Sequence, residues 1–93
     1  MKTNIDVTDA KVYPVKDSKN KIRAYAHIVL NEALRLSGLK VIEGENGLFV
    51  GYPSEKGQDG KYHSLFNPIT RESRNIIQDV VLENYERAIA AVL

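Results

Sequence analysis

Ninety-three residues with a net charge of +1, 43% of them hydrophobic and 27% charged, fit one globular domain with a single modest core. The absence of cysteine excludes disulfides, thiolate metal sites and cysteine nucleophiles. No apolar run approaches the roughly 20 residues of a bilayer-spanning helix, and the N-terminal Met1-Lys2-Thr3-Asn4-Ile5-Asp6 lacks the apolar stretch of a secretory leader, so the cytoplasm is expected and a membrane partner is not. Charge is uneven: residues 1–40 carry eight Lys/Arg against four Asp/Glu, and residues 41–93 five against eight. A basic half can touch phosphate, but a domain this close to neutral is not marked by composition alone as a nucleic-acid binder.

Val7 to Val15 reads as a first strand, with Thr8, Ala10, Val12 and Pro14 on one face and Asp9, Lys11 and Tyr13 on the other. Pro14 cannot donate to a ladder, which puts its end at a sheet edge. Lys16 to Lys21 is a polar turn. Ile22 to Leu30 alternates more cleanly, with Ile22, Ala24, Ala26, Ile28 and Leu30 against Arg23, Tyr25, His27 and Val29. Asn31-Glu32 turns the chain back. From Ala33 to Glu43 the apolar parity breaks at Ser37-Gly38, which fits either a β-bulge at Gly38 or a short helix; the strand with a bulge is expected.

Between the apolar runs Val41-Ile42 and Leu48-Phe49-Val50 stands Gly44-Glu45-Asn46-Gly47. Asn-Gly in such a setting predicts a hairpin with a type I′ turn at Asn46-Gly47, since both residues tolerate φ > 0. The unalternated Leu48-Phe49-Val50 predicts a strand covered on both faces or central in its sheet. Pro53 should end it. The loop Ser54–Gly60 leads to a short strand at Lys61–Phe66, and Asn67-Pro68 closes the β region. Thr70 is placed as an N-cap over the Ser73 amide. Beyond it Ile77, Val80, Val81, Tyr85 (or Asn84), Ala88, Ile89 and Val92 form one apolar stripe over about 20 residues. The expected fold is α+β: an antiparallel sheet of about five strands with one long C-terminal helix.

Chemistry is sparse. His27 and His63 lie 36 positions apart in no metal-ligand or triad spacing. Glu43 and Glu45 flank a turn, where acidic residues are common. The glycines lack the strand-to-helix fingerprint of phosphate loops. No enzyme, cofactor, metal or small-molecule substrate is expected. The charges that stand out are Arg71 and Arg74, three apart in the first helical turn, where cations work against the helix dipole. An anion held at the free amides of that helix end would offset the cost; pairing with Glu72 or Asp79 is the bland alternative.

Val41-Ile42-Glu43-Gly44-Glu45-Asn46-Gly47-Leu48-Phe49-Val50, Pro53-Ser54, Asp59-Gly60, Asn67-Pro68-Ile69 and Ile77-Gln78-Asp79-Val80-Val81 together resemble the SpoVG family, with looser agreement at Val7–Val12 and Ile22-Arg23-Ala24. The resemblance implies a small cytoplasmic bacterial protein that is a homodimer, binds DNA and RNA in gene regulation, and has links to septation and sporulation. It ties nucleic-acid contact to Thr70–Asn75, which contains Arg71 and Arg74; Lys56 and Lys61 complete the expected basic set. The chain departs from the family pattern at Tyr52, where a methionine is usual, and at Glu55, where a second basic residue is usual. Unpaired sheet edges and a sheet face left open by a single helix also favour a dimer. A dimeric protein–protein interaction module without nucleic-acid binding is the alternative reading.

Overall fold

The computed structural model describes residues 5–16 and 20–92, with side chains through residue 91. The leader reading at residues 1–4, the polar turn at residues 17–19 and the side chain of Val92 fall outside the described residues. Four strands, β1 (Val7–Pro14), β2 (Ile22–Leu30), β3 (Leu34–Gly44) and β4 (Gly47–Gly51), pair antiparallel in chain order. A separate hairpin, β5 (Ser54–Lys56) and β6 (Tyr62–Ser64), follows, then α1 (Arg71–Val92). The class is α+β; the strands divide four and two rather than joining one sheet of about five. The division starts at Tyr52-Pro53, where the chain leaves β4 and re-pairs on itself, with Leu65 N–H donating to Pro53 O at 2.9 Å across the base of the hairpin.

α1 covers one face of the large sheet. Its inward positions Ile77 and Val81 meet Ala24, Ala26 and Ile28 of β2, Leu39 and Val41 of β3 and Val50 of β4. The two alanines leave room for the helix to lie close, while Ile28, Leu39, Val41 and Val81 are fully buried. Burying side chains of this size stabilises by about 1.5–3 kcal/mol each. Tyr85 packs against this core, whereas Asn84 turns its amide to the Val80 carbonyl at 2.8 Å, so the stripe runs through the tyrosine. Ile89 lies past the core and is 36% exposed.

Several local expectations change. Gly44 pairs with Gly47, so the β3–β4 turn is centred on Glu45-Asn46, neither of which has positive φ. The type I′ turn expected at Asn46-Gly47 is not there, although Gly47 does carry φ +118. The left-handed pair is Asn31-Glu32, at φ 52 and 55, closed by Ala33 N–H on Leu30 O at 2.9 Å. A glutamate in that conformation is costly, and the turn is tied down: Asn31 exchanges hydrogen bonds with the Asp6 backbone, and Glu32 N–H donates to Thr8 Oγ1 at 3.0 Å.

The bulge at Gly38 is present. Ala26 pairs with Leu39 and His27 with Ser37, leaving Gly38 as the extra residue at φ +92. A second shift, at Arg23, pairs Ile22 with Ile42, which moves Ile22 off the core face. β4 is an edge strand, not a central one, and it alternates: Val50 is buried while Phe49 is 43% exposed. A single helix covers only one side of the sheet, so the continuous apolar run does not mean two buried faces.

Candidate nucleic-acid interface

α1 begins where the sequence placed it. Ser73 N–H donates to Thr70 Oγ1 at 3.1 Å, Ser73 Oγ donates to the Thr70 carbonyl at 3.0 Å, and Thr70 Oγ1 donates to Ser73 Oγ at 2.7 Å. Ser73 is buried by this arrangement. The first helical bond runs from Arg74 N–H to Thr70 O, and the amides of Arg71 and Glu72 donate to no group among the described residues. Arg71 and Arg74 are both exposed on this turn. The described ion pairs are Arg23–Glu43, His63–Asp59 and Arg87–Glu83, so neither arginine pairs with Glu72 or Asp79. Arg74 acts on Tyr52: burial pushes the phenol up from its ordinary value, and the arginine's charge offsets part of that rise.

Lys56 and Lys61 lie at the far end of the β5–β6 hairpin, both exposed. Gly57 N–H donates to Lys61 O at 2.8 Å, and Lys61 N–H to Asp59 Oδ1 at 3.0 Å. The hairpin packs on no other strand or on α1. The structure therefore gathers the basic set as two pairs, one at the hairpin tip and one at the helix start, joined through residues 65–70. A partner for His63 that sequence reasoning missed is Asp59, at 3.1 Å; the spacing of four across Asp59-Gly60 was its only signal. The Asp59 carboxyl is held below its usual range, first by the Lys61 amide and then by His63.

Two further features escaped the sequence. Beside the helix start lies an apolar cavity of about 310 Å³ whose lining includes Ile5, Leu30, Leu36, Tyr52, Phe66 and Ile77. Leu34 and Ile69 also line it and are 55% and 91% exposed. Tyr52 Oη is buried there without a hydrogen-bond partner among the described residues. The other feature is the helix-free face of the sheet, where Tyr13, Tyr25 and Phe49 stand exposed. His27 belongs to it, 5.9 Å from Tyr13 between ring centroids. No group of three or more His, Asp or Glu side chains that could hold a metal occurs among the described residues, and no helix is long and apolar enough to cross a membrane.

The SpoVG family model matches residues 5–87. A protein of Bdellovibrio bacteriovorus named SpoVG and for septation is 37% identical over 86 residues, 92% of this chain and 78% of that protein. A SpoVG protein of Archaeoglobus fulgidus, also named for septation, is 37% identical across 87% of this chain and 94% of its own length. A second SpoVG of Listeria monocytogenes, named in the same way, is 41% identical across 89% of this chain and 80% of its own.

Proposed function

Since this chain belongs to the SpoVG family, we propose that it is a small dimeric regulatory protein that binds DNA, RNA or both and acts on gene expression linked to septation or sporulation. The observation that carries the reading is the start of α1. Among the described residues, two exposed arginines without ion-pair partners flank two amides with no acceptor. Cations at the positive end of a helix dipole cost stability, and a phosphate seated on the amides between them turns that cost into attraction. Lys56 and Lys61, on the separate hairpin, offer a second pair of cations to a longer ligand.

Phosphate contacts supply affinity without sequence information. Titration of labelled duplex DNA and single-stranded RNA at two salt concentrations tests the reading. The Arg71→Ala, Arg74→Ala double variant should bind every sequence more weakly, with a salt slope reduced by about two contacts. A folded double variant with unchanged affinity and slope removes this site from the function.

One observation favours the alternative, an interaction module. Ile69 is 91% exposed and Leu34 55% exposed, both bordering the apolar cavity, and an exposed apolar group of this kind marks protein contact. Retention of self-association in a protein that binds neither nucleic acid would select it.

A further inference from the structure

The helix-free face of the large sheet is laid out in rows by the strand register. Tyr13, Tyr25, Lys40 and Gly51 form one row across all four strands. Ile42 and Phe49 form the next; on the other side come Lys11, His27 and Ser37, then Asp9, Val29 and Arg35. Tyr13, Tyr25 and Phe49 are 54%, 46% and 43% exposed. Strands lie about 4.8 Å apart and same-face residues about 6.7 Å apart along each strand, so Tyr25 and Phe49, two strands and one row apart, sit roughly 10–12 Å from one another. Each ring can take its own base. The floor beneath is shaped by glycine: a Cβ on Gly51 would lie 2.6 Å from Ile42 Cδ1, and one on Gly44 would lie 2.9 Å from the Phe49 ring.

We propose that this face is a stacking platform for single-stranded nucleic acid, with bases on Tyr25 and Phe49 and backbone phosphates on Lys11 and Lys40. The inference rests on the nucleic-acid reading above and adds a second site and a strand preference. Charge decides the occupant. Among the described residues Lys11, Arg35 and Lys40 share the rows of this face with one carboxylate, Asp9, and none of the three cations is in an ion pair there. A second copy seated face to face would bring together two surfaces that each carry this net positive charge. An anionic chain with flat apolar bases matches both the charge and the aromatic rings. A duplex does not, because its base faces are already stacked and only edges and backbone remain.

The test uses the full chain with a labelled oligouridine, the same strand annealed to its complement, and tyrosine emission as a second readout, since the chain has five tyrosines and no tryptophan. The Tyr25→Leu, Phe49→Leu double variant keeps both positions apolar and preserves any protein contact, but it removes the rings. Single-strand affinity should fall at least about tenfold, while duplex affinity changes by less than about twofold. Tyr25→Phe should bind as the parent does, and oligouridine should quench tyrosine emission. Unchanged single-strand affinity in the folded double variant overturns the platform, as does failure of the parent to bind oligouridine. A Lys11→Glu, Lys40→Glu variant that alters self-association and leaves binding untouched assigns the face to a second copy and overturns it too. Loss in the Arg71→Ala, Arg74→Ala variant alone supports the helix-start site and not the platform; loss in the ring variant alone does the reverse.

Discussion

Gly47 shows how a single backbone angle can matter without any contact. A Cβ there would meet nothing within 4 Å, yet the residue sits at φ +118, so substitution costs conformational energy alone. Replacing Gly47 by Val should destabilise by at least about 1–2 kcal/mol, a fall in Tm of about 4–8 °C per kcal/mol for a domain of this size. An unchanged melting temperature would mean that the hairpin reaches another turn at no cost. Tyr52 gives the opposite expectation. Its hydroxyl is buried without a partner among the described residues, and an unsatisfied buried hydroxyl costs about 1–3 kcal/mol. Tyr52→Phe should therefore leave Tm unchanged or raise it in thermal unfolding; a clear loss of stability would reveal a bond that the phenol makes.

Among the elements, what the sequence made legible followed periodicity and local chemistry. β2 runs from Ile22 to Leu30 as its alternation requires, the bulge falls on Gly38, and Thr70 caps α1 through the Ser73 amide. What was hidden depended on partners distant in the chain. Asn46-Gly47 has the composition of a type I′ turn, but the pairing of Gly44 with Gly47 shifts the turn by one residue, and register is set by the facing strand as well as the turn. Leu48-Phe49-Val50 gives no internal sign that one face stays open. Arg71 and Arg74 could be placed on one turn from spacing, whereas their lack of carboxylate partners required coordinates. In the β5–β6 turn Asp59 accepts from the Lys61 amide and meets His63, and its carboxylate sets a pH dependence. Because Asp59 is depressed in the folded chain, its contribution is present above the unfolded carboxylate range and is lost as pH falls through the lower, folded value. Protection of the Lys61 amide, taken relative to its intrinsic exchange rate at each pH, should fall across that acid window, and Asp59→Asn should abolish the step. A flat profile in the parent would show that the loop holds without the carboxylate.

At the scale of the whole molecule, surface left uncovered points to a homodimer. Each edge of the large sheet carries its own protection: β1 has Lys11 and ends at Pro14, and β4 is five residues long. Short, charged or proline-bearing edges pair poorly with a second chain. The apolar end is different, because Leu34, Leu65 and Ile69 are all more than half exposed and Leu34 and Ile69 border a cavity lined mainly by apolar side chains. An interface of about 800 Å² per protomer would take about a ninth of the 6958 Å² accessible surface, centred on this end across a two-fold axis. Sedimentation at micromolar concentration should show a dimer. Leu34→Glu with Ile69→Glu should convert it to a monomer with an unchanged circular dichroism spectrum, since both side chains are exposed and neither belongs to the core. A parent that sediments as a monomer refutes the dimer. A dimer that survives both glutamates moves the contact away from this apolar end.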